Sequence, residues 1–248
     1  MIITLLAIIV IISYVFMHSL EIFAFAARVA GRITHRNALG TTISQTVYTT
    51  ATIALITFLP SLAYLVESGI SLKNYIILVI LAYFFTFLAS LIMLINLNKL
   101  QHFFQTVFIK YNKNTLPIAI LKSLFNKNKE ISLEDCEKFT FDKVVCKKTT
   151  VSFFAYIFLI TGYFNAFLLA VIFPENRLTL SQFTTIFHGV GAIIFAFYID
   201  PMVSRSIDTY SDDVTWLKNV YSILLGRVLS YLAMIISLLI FLYCFKFL

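Results

Sequence analysis

The chain has 248 residues, of which 60% are hydrophobic and only 12% charged, and its mean hydropathy is +0.91. A water-soluble domain carries about 25% charged residues, so this chain lacks the polar side chains to cover a soluble surface of its size. Its net charge of +7 is concentrated in one Lys-rich stretch, which bears on membrane topology before it bears on nucleic acid.

Apolar runs of about 20 residues, the length that crosses a hydrocarbon core, occur six times. Span one is Ile2 to about Phe25, span two about Thr41 to Leu62, and span three about Tyr75 to Leu97. After a polar stretch, span four is Val151 to Phe173, span five about Leu180 to Ile199, and span six about Val220 to Phe245. The expected fold class is therefore an all-α polytopic membrane helix bundle of about six transmembrane helices. Three parts are expected: residues 1–97 with three spans, 98–150 as a Lys-rich loop, and 151–248 with three more. The first apolar run has neither a basic n-region nor a small-residue cleavage site, so it reads as a retained helix.

Loop charges orient the bundle. The first loop holds Arg28, Arg32 and Arg36 with no acid, and the third holds ten Lys against five acids. The even-numbered loops hold one Lys or Arg each. Odd loops are expected inside, which places both termini outside. In the third loop, Leu116 to Phe125 behind Pro117 reads as a short amphipathic helix. Ser132 with Glu134, Asp135 and Glu137 reads as the start of another. Cys136, Cys146 and Cys244 are too few for a disulfide framework and have no His placed to make a zinc site.

An ionisable side chain at the bilayer centre costs at least ~2.5–3.5 kcal/mol, so it needs a partner or a wet cavity. His18, Glu21, Arg28, Arg32 and Arg36 fall within about a quarter of the circumference of one helix. Ala26, Ala27, Ala30 and Gly31 occupy its other side and allow another helix to come close. Two readings fit the stripe: stop-transfer arginines that snorkel to headgroups, or the wall of a polar cavity with Glu21 paired to an Arg or to another helix. Only the second accounts for an acid seven residues up the apolar side. The first half of span two is rich in Thr, and Gln45 there needs partners outside its own helix.

After span five come Asp200, Pro201, Arg205 and Asp208. Pro201 predicts a helix break at Asp200, and Arg205 and Asp208 are spaced to pair on one turn. Asp200 either caps the following helix or meets the arginine stripe. His188, Gly189 and Gly191 in span five and Arg227 in span six are weaker candidates. A lone membrane His is usually packed and satisfied, and Arg227 lies within snorkelling reach of the inner interface. The chain lacks a P-loop, an HExxH and a G-x-S-x-G, and Asp200, Asp208, Asp212 and Asp213 lack the spacing of alcohol phosphatidyltransferases. No catalytic residue, metal or cofactor is expected.

The segment His18-Ser19-Leu20-Glu21 through Ala27-Arg28-Val29-Ala30-Gly31-Arg32-Ile33-Thr34 resembles the opening of the Amj family of lipid II flippases, alternate to MurJ. Asp200-Pro201 after the penultimate span fits the same family. The resemblance implies a non-enzymatic, multi-pass protein of the bacterial cytoplasmic (inner) membrane. It would move an undecaprenyl-pyrophosphate-linked precursor between leaflets for peptidoglycan synthesis. Its partners would be lipid II and membrane lipids, with no nucleic acid. The candidate substrate-binding residues, read from the polar positions above, are Arg28, Arg32, Glu21, His18, Gln45, Asp200, Arg205 and Arg36, and the resemblance covers only those within His18–Thr34 and at Asp200. Arginine forks would bind the pyrophosphate, with Glu21 competing for Arg28 or Arg32, so that Glu21→Gln keeps the fold and loses turnover. The alternatives are a membrane scaffold or subunit, in which the polar stripe packs dry, and a lipid-modifying enzyme using the aspartates.

The topology has a direct test. In intact cells, an impermeant maleimide added from outside should leave Cys136 and Cys146 unlabelled. Labelling of either reverses the orientation.

Overall fold

The computed structural model describes residues 2–125, 144–209 and 213–244. They are almost entirely helical, with no strand among the described residues. Six segments are long and apolar enough to cross a membrane, and the chain is a polytopic helical bundle. Its outward face carries large apolar side chains such as Leu178, Phe197 and Tyr243, which suits a surface solvated by acyl chains.

The bundle is built around α1 (Ile2–Ile33), which packs against five other helices. At 32 residues it is about 48 Å long. It stops at Ile33, short of Arg36. Thr34 and His35 turn the chain, His35 takes a left-handed φ of 53°, and the Arg36 amide donates to the Gly31 carbonyl at 2.7 Å. Arg36 is therefore exposed before the next helix, off the α1 stripe.

Span two is a broken helix, α2 (Asn37–Ala51) followed by α3 (Ile53–Glu67). At the joint the Thr52 amide and hydroxyl both donate to the Thr49 carbonyl, at 3.1 and 2.6 Å. Pro60 removes a further helical donor within α3. Span three is α4 (Leu72–Ile95), opened by Ser71, whose hydroxyl accepts from the Asn74 amide.

The polar stretch is more ordered than its composition suggests. α5 (Leu97–Tyr111) starts directly after Asn96 and α6 (Leu116–Leu124) carries the expected Pro in its first turn. Phe104, Val107, Phe108 and Ala119 bury themselves in the cluster formed with the second half of α1, with the Phe104 ring tilted against that of Phe23 at 4.5 Å. The helix start expected at Ser132, and Cys136, lie outside the described residues. Span four, α7 (Cys146–Ile172), begins five residues before the expected Val151.

Span five is a continuous rod: α8 (Arg177–Ile194), a π-helical turn over Phe195–Ile199, and α9 (Asp200–Thr209). The break expected at Asp200 does not occur. Asp200 has helical angles, φ −61° and ψ −46°. The wider π turn absorbs the ring of Pro201, which would otherwise strike the carbonyl four residues back. Span six, α10 (Asp213–Cys244), starts seven residues before the expected Val220.

Two apolar clusters fill the interior. One joins the second half of α1 to α5, the start of α7 and the first half of α10. The other joins the first half of α1 to α3, α4, the end of α7 and the later part of α10. Between them lies a polar layer at His18, Glu21 and Arg227. The α1–α2 crossing is glycine on glycine: a Cβ on Gly31 would stand 2.7 Å from the Gly40 Cα, and the reverse holds for Gly40. Gly31→Val should therefore force the two backbones apart and destabilise the fold by about 1–3 kcal/mol, read as a lower unfolding temperature in detergent.

Candidate functional site

The stripe on α1 meets two different partners. Glu21 faces inward to Arg227 of α10, and their side chains are 14% and 1% exposed. Arg227 Nη2 donates to the Glu21 carboxylate and to the His18 carbonyl, the latter at 3.0 Å. His18 Nδ1 and the Tyr231 hydroxyl stand 3.0 and 3.3 Å from the same nitrogen. The guanidinium lies over the Tyr156 ring at 4.8 Å. His18 Nδ1 is also 3.2 Å from the Glu21 carboxylate. This is a buried ion pair held by several further hydrogen-bonding groups around one guanidinium nitrogen, a condition that helps such a pair to be tolerated away from water.

The sequence left Glu21 to an Arg of its own stripe or to another helix, and the structure gives it another helix: it pairs with Arg227, not with Arg28 or Arg32. Arg227 does not snorkel. Its side chain is buried and turned inward to Glu21.

Arg28, two turns beyond Glu21, sits nearer the end of α1. Its Nη1 donates to Asp200 Oδ1 at 2.9 Å and its Nε to the Ser44 hydroxyl of α2 at 3.2 Å. Its guanidinium is 5.6 Å from the Phe25 ring. The side chains of this pair are 11% and 36% exposed, so it is the wetter of the two ion pairs. Asp200 thus meets the arginine stripe and does not cap a helix.

Between the two pairs lies a cavity of about 210 Å³. Glu21, Arg28, Gln45, Tyr48, Asp200 and Arg227 bring the polar chemistry to it, and Phe25, Leu159 and Phe195 are among its apolar walls. Two nearly fully buried groups on its wall lack a hydrogen bond among the described residues: the Tyr156 hydroxyl and Arg227 Nε. A polar cavity wall with spare donors is suited to water or an anionic group. The formal charge balances, two acids against two arginines, so an anion enters only by taking the place of a carboxylate.

A family model described as Amj, Alternate to MurJ, matches residues 14–243. The chain belongs to the Amj family. No curated protein and no solved structure matches it.

In this Amj chain the cavity gathers Glu21, Arg28, Gln45 and Asp200 from the residues singled out in the sequence. His18 stands behind it, holding Arg227. Arg32 is half-buried and off the cavity wall, and Arg36 and Arg205 are exposed. The Asp208 side chain and Asp212 lie outside the described residues. His188 stacks on Tyr163 at 4.6 Å with Nδ1 3.2 Å from the Leu159 carbonyl, a packed histidine as expected. Gly191 packs on Leu159 and Gly189 faces open space. Sequence reasoning underrated Arg227 because the start of span six was set seven residues late, about 10 Å, which made a mid-span arginine look interfacial. Tyr48 and Tyr156 carried no signal beyond being two of thirteen tyrosines.

Because Glu21 pairs with buried Arg227, Glu21→Gln is now expected to weaken the fold as well as transport. Leaving Arg227 buried without its counter-charge should cost roughly 3–5 kcal/mol in thermal unfolding, whereas Glu21→Leu with Arg227→Met should recover most of that loss. Equal instability of the single and the double variant would show that the pair does not support the fold.

Proposed function

We propose that this protein moves a polyprenyl-pyrophosphate-linked peptidoglycan precursor, lipid II, from the inner to the outer leaflet of a bacterial cytoplasmic membrane, without catalysing a covalent reaction. Membership of the Amj family supports the flippase class. The observation that carries the reading is the Arg28–Asp200 pair at a cavity inside the membrane-spanning bundle. A scaffold needs these groups packed dry, whereas a transporter needs them at a cavity.

Phosphate and carboxylate oxygens compete for the same guanidinium fork. A pyrophosphate at Arg28 therefore displaces Asp200, whose freed carboxylate, the more exposed of the two acids, is hydrated until the lipid leaves and it returns to Arg28. Ser44 keeps the fork oriented during the exchange. Glu21 and Arg227, more deeply buried, remain as the fixed floor, held by His18. The role first assigned to Glu21, competition with the substrate, thus passes to Asp200. Gln45 offers an amide to the headgroup. Arg32, Arg36 and Arg205, outside the cavity, draw anionic lipid to the same end, each contributing about 1 kcal/mol near an anionic surface.

The cavity is smaller than the ~300–1,000 Å³ of a pocket that encloses a drug-sized ligand. It takes the pyrophosphate end of the lipid and not the disaccharide-pentapeptide, so transport requires the bundle to open. In the proposed orientation, with odd loops inside, the Arg28 end faces the cytoplasm and receives lipid II from the leaflet where it is made.

The gene should rescue cells depleted of their other lipid II flippase, and Arg28→Ala should not, at unchanged protein level. Losing one charged hydrogen-bonding partner costs about 1.5–3 kcal/mol, or roughly 10–100-fold in headgroup capture. Arg28→Lys should restore only part of it. Asp200→Asn should keep or tighten capture while slowing appearance of lipid II in the outer leaflet. Full rescue by Arg28→Ala would reduce that arginine to a topology signal.

A further inference from the structure

The cavity beside Arg28 is walled by α1, α7 and α10 and has its mouth between α2 and α8. Gln45 and Tyr48 of α2, Ala192 of α8 and Ala196 of the π turn that continues it line it and are also exposed, which marks them as its lips. α2 packs on α1 and α8 on α7, but α2 and α8 are not packed on each other. Their separation is built into the close crossings on either side. Gly31 on Gly40 draws α2 to α1, and Gly162, whose Cβ would stand 2.6 Å from the His188 amide nitrogen, draws α8 to α7.

The height of the mouth decides what it faces. The span Asn37–Glu67 is 31 residues, about 46 Å, against a ~30 Å hydrocarbon core. With the excess shared between the two ends, Gln45 and Tyr48 lie about 4–9 Å inside the hydrocarbon. On that placement the mouth opens toward acyl chains just below the headgroups.

The two lips differ in chemistry. On α2, Thr42, Thr46 and Thr50 return their hydroxyls to their own helix at 2.8–3.0 Å and tolerate hydrocarbon. The Gln45 amide makes no hydrogen bond among the described residues, so at this depth it needs a polar occupant. The α8 lip is small and apolar, with Phe197 beside it 73% exposed. One polar lip and one apolar lip suit an amphiphile lying across the opening.

We infer that the gap between α2 and α8 is a lateral entrance for an isoprenoid pyrophosphate. The headgroup passes between Gln45 and Ala196 to Arg28, and the chain stays in the bilayer along α8. The choice of headgroup rests on the proposed function; the position of the entrance rests on the exposed lips and the unpacked helices.

The probe is an isoprenoid pyrophosphate carrying a benzophenone in its chain near the headgroup, added to the full-length protein in lipid nanodiscs and illuminated. Adducts are expected on the peptides containing Gln45–Thr49 and Ala192–Phe197, reduced at least ~10-fold by Arg28→Ala. Ala192→Trp with Ala196→Trp should block the mouth and lower labelling to a similar extent, whereas Ile236→Trp on the outer face of α10 should not. If the double variant does not fold, Gln45→Cys in a protein whose Cys136, Cys146 and Cys244 are replaced by Ser, modified after folding with a bulky maleimide, makes the same block. Arg28-dependent adducts in the apolar groove at Ile8, Ile12 and Phe85, or undiminished labelling of the blocked protein, overturn the entrance and leave the proposed function standing. No labelling, or labelling indifferent to Arg28, overturns both. Labelling at the lips by a protein that does not rescue flippase-depleted cells supports the entrance and overturns lipid II export.

Discussion

The bundle is organised around a buried ion pair. Glu21 and Arg227 come from the first and last spans, and neither is tolerable at that depth alone. Together, with the His18 carbonyl and the Tyr231 hydroxyl in reach, they form a polar layer between two apolar clusters. The layer ties α1 to α10 at one height and one rotation, because a shift of a single residue would turn Glu21 by about 100° away from its partner. Everything nearer the Arg28 end is placed relative to that fixed point.

With α1 and α10 held, close packing decides where the wall of the cavity is solid and where it is not. Helix association in a membrane relies on contact and not on hydrophobic expulsion, so crossings form where small residues let backbones approach. Gly31 and Gly40 supply one such crossing, and Gly162 and Gly191 supply the α7–α8 crossing. The result is two tightly joined pairs, α1 with α2 and α7 with α8, and a seam between them. Arg28 and Asp200 bridge that seam with the more exposed of the two ion pairs. The buried pair is suited to holding structure. The wetter one is suited to exchanging a carboxylate for a phosphate, because the charges it uncovers can be hydrated.

The π turn before Asp200 belongs to the same arrangement. Pro201 denies the helix a donor and pushes against the preceding turn. A widened turn keeps the rod continuous and leaves Asp200 helical, aimed at Arg28. A full break at Pro201, as its sequence position suggests, would have freed Asp200 to bond its own backbone. The geometry of one turn therefore settles whether this acid is a cap or a counter-ion.

What the sequence determined by itself is the membrane class, the six spans, the close small-residue face of α1, and which residues were too polar for their depth. These follow from properties that act locally, transfer cost per residue and helical periodicity, and Glu21, Arg28, Gln45 and Asp200 all stood out on those grounds. Only the tertiary structure decided who partners whom. Glu21 looked equally able to meet Arg28, Arg32 or another helix, because side chains 206 residues apart have no sequence relation that sets their rotation about separate axes. Arg227 was hidden by a seven-residue uncertainty in where α10 begins, since a charged first turn can belong either to a loop or to a helix entering the membrane. The seam between α2 and α8 was invisible for the same reason: it is a lack of close packing between two helices that each satisfy their own backbone, and nothing in either sequence has to change to leave it open.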